Sequence, residues 1–86
     1  IKIITGNTAE GFLIFGDAQD NSMGGMSYNN STNSLSIDCN NSEAISIDSS
    51  QRVGIGTVSP TQELTVAGNI KLETTGSKYI FATTSA

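Results

Sequence analysis

The side chains able to do chemistry are few, and they lie between short apolar words. Asp17, Asp20 and Asn21 fall within one polar run, Gly16-Asp17-Ala18-Gln19-Asp20-Asn21-Ser22. Clustered oxygens of this kind are what Ca²⁺ takes as ligands. The spacing is not that of an EF-hand, and no Glu follows where a bidentate ligand belongs, so a solvated turn is the favoured reading. Asp38 and Asp48 recur after Ile37 and Ile47. Two such carboxylates are the equipment of a glycosidase. The stronger reading is of outward-facing charges that keep exposed strand edges from pairing. Gly24-Gly25, between Met23 and Met26, has no strand-to-helix context and no following Lys, so it is not a phosphate loop. It reads as a bend or bulge, with the Met side chains filling gaps in a core. Cys39 has no second Cys and no His as a partner, which excludes an internal disulfide or a zinc site. It reads as a small buried hydrophobe. The absence of His excludes a Ser-His-Asp or Cys-His arrangement within the chain. No residue is assigned as catalytic, cofactor-binding or metal-ligating, no cofactor is expected, and the chain is not expected to be an enzyme.

The aromatics are Phe12, Phe15, Tyr28, Tyr79 and Phe81. Exposed aromatics beside Asn and Asp would make a sugar-binding face. Phe12, Phe15 and Phe81 read as core or inter-chain contacts, while Tyr28 and Tyr79 stay open between the two roles. No receptor-binding residue follows from this.

The elements that must position these residues are strands. Leu35 and Ile37 alternate with Ser34, Ser36 and Asp38; Ile45 and Ile47 with Ser46 and Asp48; Val53 and Ile55 with Gly54 and Gly56. Leu64 and Val66 alternate with Thr65 and Ala67, and Ile70 and Leu72 follow. A period of two places the apolar side chains on one face of each short strand. Asn29-Asn30-Ser31-Thr32-Asn33 separates Met26-Ser27-Tyr28 from Leu35-Ser36-Ile37 and reads as a hairpin tip, where Asn tolerates left-handed backbone angles. Asn40 to Glu43 and Ser49 to Arg52 are further breaks. Short strands at this spacing mean a sandwich, a barrel or a β-solenoid-like fibre. One stretch departs from the pattern. Ser59 is a plausible helix N-cap, Pro60 suits the first helical position, and Gln62 and Glu63 suit the first turn, which predicts a single helical or 3₁₀ turn near Ser59–Glu63.

Repetition appears on two scales. Ser34-Leu35-Ser36-Ile37-Asp38 is echoed by Glu43-Ala44-Ile45-Ser46-Ile47-Asp48. Over a longer range, Ile1-Lys2-Ile3 resembles Ile70-Lys71-Leu72, and Gly11-Phe12-Leu13-Ile14-Phe15 resembles Lys78-Tyr79-Ile80-Phe81. A β-strand and hairpin module over 1–56, a linker over 57–69 and the opening of a next repeat over 70–86 are therefore expected; modules repeated end to end build something long.

Composition narrows the partners. The 86 residues carry four Lys or Arg against eight Asp or Glu, a net charge of -4, and the few bases are scattered. That offers no phosphate-binding face, so nucleic acid is not expected. The longest apolar run, Phe12-Leu13-Ile14-Phe15, is far short of the roughly 20 residues of a membrane helix, and no signal-like segment opens the chain. The chain begins at Ile1 rather than Met, as expected of a cleaved or trimmed product or a piece of something longer. Only 36% of residues are hydrophobic, and neither a disulfide nor a metal helps. A chain this small with so little apolar content needs partner chains to complete its core.

The stretch from Arg52 to Ile70, Arg-Val-Gly-Ile-Gly-Thr-Val-Ser-Pro-Thr-Gln-Glu-Leu-Thr-Val-Ala-Gly-Asn-Ile, resembles a pattern of bacteriophage tail fibres and tailspikes. It reads V-G-I-G-T, two residues, Pro, three residues, then L-x-V-x-G-x-I, and such a stretch often lies upstream of a self-cleaving chaperone domain. Phe15 to Tyr28 and Asn33 to Ile37 look like the segment that precedes it. The resemblance implies an all-β, intertwined homotrimeric fibre, β-prism or β-helix-like, in the tail fibre of an extracellular virion. Its partners would be its own copies, other tail proteins and, through the fibre, a host-surface glycan or protein. Any self-cleaving domain would lie outside these residues. Around a threefold axis, Val53 and Ile55 would point inward while Gly54 and Gly56 let neighbouring chains approach. The expected function is a structural shaft supporting host attachment; the alternatives are a glycan- or receptor-binding module of the same fibre and the stalk of a bacterial adhesin.

Overall fold

The alternating words do form strands. A computed structural model describes residues 1–76. Six strands, β1 (Glu10–Phe15), β2 (Gly24–Asn29), β3 (Ser34–Cys39), β4 (Ser42–Ile47), β5 (Val53–Ile55) and β6 (Leu64–Val66), lie side by side in chain order in one sheet. The first four pairings are antiparallel and β5–β6 is parallel, so the sheet is mixed. The chain is all-β, and no helix forms among the described residues. The predicted opening of a second repeat is described only as far as Gly76; Lys78–Phe81, including Tyr79, lies outside the described residues.

The register converts the sequence alternation into two faces. One row runs Leu13, Met26, Ile37, Ile45, Ile55, Val66 across all six strands. The next row on that face runs Gly11, Tyr28, Leu35, Ile47, Val53, Leu64. Directly opposed residues share a face of the sheet, so this face is apolar from edge to edge. The other face carries Phe12, Ser27, Ser36, Ser46, Gly54 and Thr65 in one row, with Ile14, Gly25, Asp38 and Glu43 beside it. A bulge between Ile37 and Asp38 leaves Ala44 unpaired in β4.

Asn supplies the turns, as its backbone tolerance predicts. Asn33 (φ 54°), Asn40 (φ 52°) and Asn41 (φ 59°) are all left-handed. Asn40 and Asn41 alone join β3 to β4, where two consecutive positive φ values suit the twist of a two-residue hairpin. Asn29 Oδ1 accepts the amides of Ser31 and Thr32 at the β2–β3 tip.

Three expectations about local structure are corrected. The helical turn near Ser59–Glu63 does not form. Its capping scheme needs Ser59 to accept the amides of Thr61 and Gln62, but both donate to Thr65 Oγ1, each at 3.1 Å. The Glu63 carbonyl is meanwhile taken by the Val53 amide, which seats β6 beside β5. Within the eight residues that return the chain for a parallel pairing, the Thr61 and Gln62 amides and the Thr57 and Glu63 carbonyls are thus committed to partners outside a helix. Gly24-Gly25 is not a bend but the opening of β2, flanked by backbone on both sides. A Cβ on Gly25 would overlap the Leu13 carbonyl, and one on Gly24 would lie 3.0 Å from the Asp38 carbonyl oxygen. Met26 accordingly stands on the apolar face, 40% exposed, rather than filling a core.

Among the described residues no apolar side chain of the sheet is buried. The buried residues are Ser46, Gly54 and Pro60. They gather where the connection from β5 to β6 crosses the polar face and the Ser46 hydroxyl donates to the Thr57 carbonyl at 2.8 Å.

Candidate functional site

The polar candidates turn out to be occupied by their own loops. Asp17 Oδ1 accepts the amides of Gln19 (2.9 Å) and Asp20 (2.8 Å), and Asp20 Oδ1 accepts that of Ser22. Asp20 Oδ2 accepts from the Asn41 side chain at 2.9 Å. The Asp20 amide, then that of Gln19, holds the Asp17 carboxyl below its ordinary value. Asn21 lies exposed in the same loop. These oxygens organise a turn, and among the described residues no three His, Cys, Asp or Glu side chains group as a metal site would need.

Asp38 and Asp48 do not share a cleft. Asp38 is on β3 opposite Gly25, whereas Asp48 follows the last residue of β4. The register sets their positions about 14 Å apart along the strands at ~3.4 Å per residue, beyond the ~9.5 Å limit for paired glycosidase carboxyls. They line different hollows on the polar face. Asp48 is not a free edge charge either. Its Oδ1 accepts the amides of Ser50 and Arg52, and its Oδ2 accepts from Arg52 Nε at 3.0 Å. The Arg52 amide, opposed by partial burial and aided by the Arg52 guanidinium and the Ser50 amide, holds this carboxyl low. The arrangement fixes the turn that carries Gln51 at φ 65°.

Cys39 is exposed, which corrects the expectation of burial. It stands beyond the bulge at the end of β3, paired with Ser42 beside the two-residue turn. The aromatics divide between faces. Phe15 (63% exposed) and Tyr28 (43%) stand on the apolar face, and Phe12 (52%) on the polar one. The Tyr28 hydroxyl lies 3.4 Å from Asn33 Oδ1, within reach of donating to it.

The feature that stands out is therefore not a polar cluster but the bare apolar face. Neither of its two full rows carries a charge or an amide. Over β1 to β3 the chain's own opening segment lies above it. Ile3 Cγ2 is 3.3 Å from where a Gly11 Cβ would stand, and Asn30 Nδ2 ties the segment down through Thr5 Oγ1 and the Ala9 carbonyl, each at 2.9 Å. Between that segment and the sheet is a hollow of about 450 Å³, bounded by Ile1, Ile3, Leu13, Met26, Tyr28 and Leu35. Over β4 to β6, Ile55 and Leu64 are 42% and 55% exposed, and Ile45, Ile47, Val53 and Val66 are half-buried. Alternation marks each strand's apolar side in the sequence, but only the register shows that all six sides coincide.

No protein-family model matches this chain, and no curated protein matches it.

Proposed function

We propose that this chain is a structural shaft segment of a phage tail fibre or tailspike, assembled as a homotrimer on an extracellular virion. The observation that carries the reading is the fully apolar sheet face, with no apolar side chain of the sheet buried among the described residues. Leu13, Phe15, Met26, Tyr28, Ile55 and Leu64 are each 40% to 63% exposed. Together with their half-buried neighbours they leave on the order of 700 Å² of apolar surface in water, more than the ~300–600 Å² of the largest patch on ordinary monomers. A stable interface covers ~800 Å² per partner, so copies meeting on this face would supply the missing core. Covering it is worth roughly 15–20 kcal/mol per chain at ~25 cal/mol per Å², before the cost of association. On the opposite face, Ser27 and Ser36 suit an outer surface that stays hydrated with little charge, while Phe12 and Ile14 at the β1 edge are 52% and 47% exposed. The fibre assignment itself is supported by the resemblance of Arg52 to Ile70 to the tail-fibre pattern. Neighbours along the fibre would be other tail proteins, with host contact made by the assembled fibre.

Native mass determination and sedimentation across a concentration series test the reading. A trimer that holds at sub-micromolar concentration, and is rod-shaped by electron microscopy when several modules are joined, is expected. A solitary, compact and cooperatively melting chain overturns it.

A further inference from the structure

The opening segment shows what the apolar face accepts. Its alternate residues Ile1, Ile3 and Thr5 bound the hollow over β1–β3, across from Leu13, Met26 and Tyr28. Ile3 and Thr5 both rest on Gly11, with their Cγ2 atoms 3.3 and 3.6 Å from where a Cβ would stand. Ile4, between them, is 79% exposed. The segment is exposed throughout residues 1–9, so it occupies the face without closing it, and the hollow of about 450 Å³ remains beneath.

The same facing residues recur after β6. Ile70, Leu72 and Thr74 have the spacing of Ile1, Ile3 and Thr5, and Lys71 stands in the place of Lys2. The one change of character, Glu73 for Ile4, falls at a position that lies outside the hollow in the opening segment. A Thr-Gly turn follows each stretch. At Thr5-Gly6 the Gly6 carbonyl accepts the Ala9 amide at 3.0 Å, and at Thr75-Gly76 the glycine has φ 84°. Ile70 and Leu72 are 62% and 42% exposed, so both have apolar surface left to cover.

We infer that Ile70, Leu72 and Thr74 are a second docking strip, and that its acceptor is the β1–β3 face of a second copy of this chain, at the site of Ile1 to Thr5. The contact goes beyond the shaft reading, because it joins copies tail to face in series and does not depend on how many stand side by side. The chain's own face is out of reach. To take the place of Ile3, Leu72 has to arrive over β1, five strand spacings or ~24 Å from β6. The six residues from Val66 to Leu72 span at most ~22 Å when fully extended. On a second copy, Ile70 and Leu72 cover Leu13 and Met26, and Asn30 Nδ2 donates to Thr74 Oγ1 as it does to Thr5 Oγ1 at 2.9 Å.

The test adds a synthetic peptide of residues 67–76 to the isotope-labelled full chain and follows the Leu13, Met26 and Leu35 methyls and the Tyr28 ring by NMR. Saturable shifts at these residues are expected, half-complete at about 1 mM, the strength of two aliphatic side chains entering an apolar hollow. Ile3→Ser in the protein loosens the resident segment and should lower that concentration about threefold or more, because a vacated site binds more tightly. Gly11→Val fills the point on which Ile3 and Thr5 rest and should abolish the response. A peptide carrying both Ile70→Lys and Leu72→Lys reads the same contact on unaltered protein and should leave the resonances unmoved. No saturable shift in either the wild type or Ile3→Ser, shifts centred on β4 to β6, or equal binding of the Lys peptide overturns the inference. A trimer that ignores the peptide overturns the docking strip and leaves the shaft reading intact, whereas a monomer that binds it overturns the shaft reading and supports the strip.

Discussion

Substituting Gly54 tests whether the polar face is built as described. A Cβ at this position would overlap the Thr57 carbonyl oxygen and stand 2.9 Å from Ser46 Oγ and 3.1 Å from Thr57 Cγ2. Gly54→Ala therefore has to lift the β5–β6 connection away from the sheet. Lifting it breaks the Ser46–Thr57 bond, and a buried polar group left unpaired costs about 1–3 kcal/mol. Forcing a methyl into a closed site adds about 1–3 kcal/mol, so a loss of roughly 3 kcal/mol per chain is expected. Ser46→Ala alone should cost about 1 kcal/mol by removing the same bond. In the double variant the bond can be lost only once, so the two effects should fall short of additivity by about 1 kcal/mol. Gly6→Ala is the control, since its Cβ would meet only Ala9 Cβ at an ordinary 3.8 Å. The assay is urea unfolding by circular dichroism at one fixed chain concentration, because assembly makes the midpoint concentration-dependent. The clash is within one chain, so the material that stays folded should keep its wild-type mass. A neutral Gly54→Ala, or one that disperses the assembly without the coupling to Ser46, would return this glycine to the inter-chain role its spacing suggests and refute the packing described here.

Two further predictions concern the turns. The Asp48 carboxyl is held below its ordinary 3.8, chiefly by the Arg52 amide. A carboxyl depressed in the folded state contributes stability that is fully present above its unfolded value and is lost as pH falls through its folded value. Hydrogen exchange at the Ser50 and Arg52 amides, corrected for intrinsic rates, should therefore accelerate as pH drops below about 4. Asp48→Asn should flatten that dependence; an unchanged profile in the variant would contradict the turn geometry. Asn30→Ala removes the side-chain bonds to Thr5 and Ala9 and should cost about 1 kcal/mol while exposing residues 1–9 to proteolysis. Wild-type resistance in that variant would show that the opening segment is held by something other than Asn30.

Much of this fold is legible in the sequence because its chief signal is binary. Leu35/Ile37, Ile45/Ile47, Val53/Ile55 and Leu64/Val66 alternate with small or polar residues, and each pair lands on the same face. The hairpin around Asn29 to Asn33 is equally visible, since Asn is among the few residues that accept φ near 54°. What the sequence hides is where the peptide groups go. Ser59-Pro60 reads as a helix start only if the Thr61 and Gln62 amides are free, and Thr65, four and three residues on, takes both. Gly54 reads as a site of inter-chain approach because its spacing reports only that something comes close. The neighbour is Thr57 of the same chain. Cys39 reads as buried because its residue type usually is, and that preference carries no information about the bulge that leaves it beyond the packed rows.

The same period-two pattern serves two purposes, and side-chain size separates them. On the polar face, Ser46 and Gly54 are small enough for the connection from β5 to cross the sheet at hydrogen-bonding distance. A larger residue in either place would hold that connection off and leave the parallel β5–β6 pairing without its return path. On the apolar face, the residues flanking those two, Ile45, Ile47, Val53 and Ile55, are bulky and branched. Packing the crossover against Ser46 and Gly54 commits it to the polar side. The β5–β6 crossover can lie on only one face, and the small residues direct it to the polar one. The apolar character of the one face and the small residues of the other are thus parts of one arrangement, and the Gly54 substitution is expected to act by loosening the chain that the crossover closes.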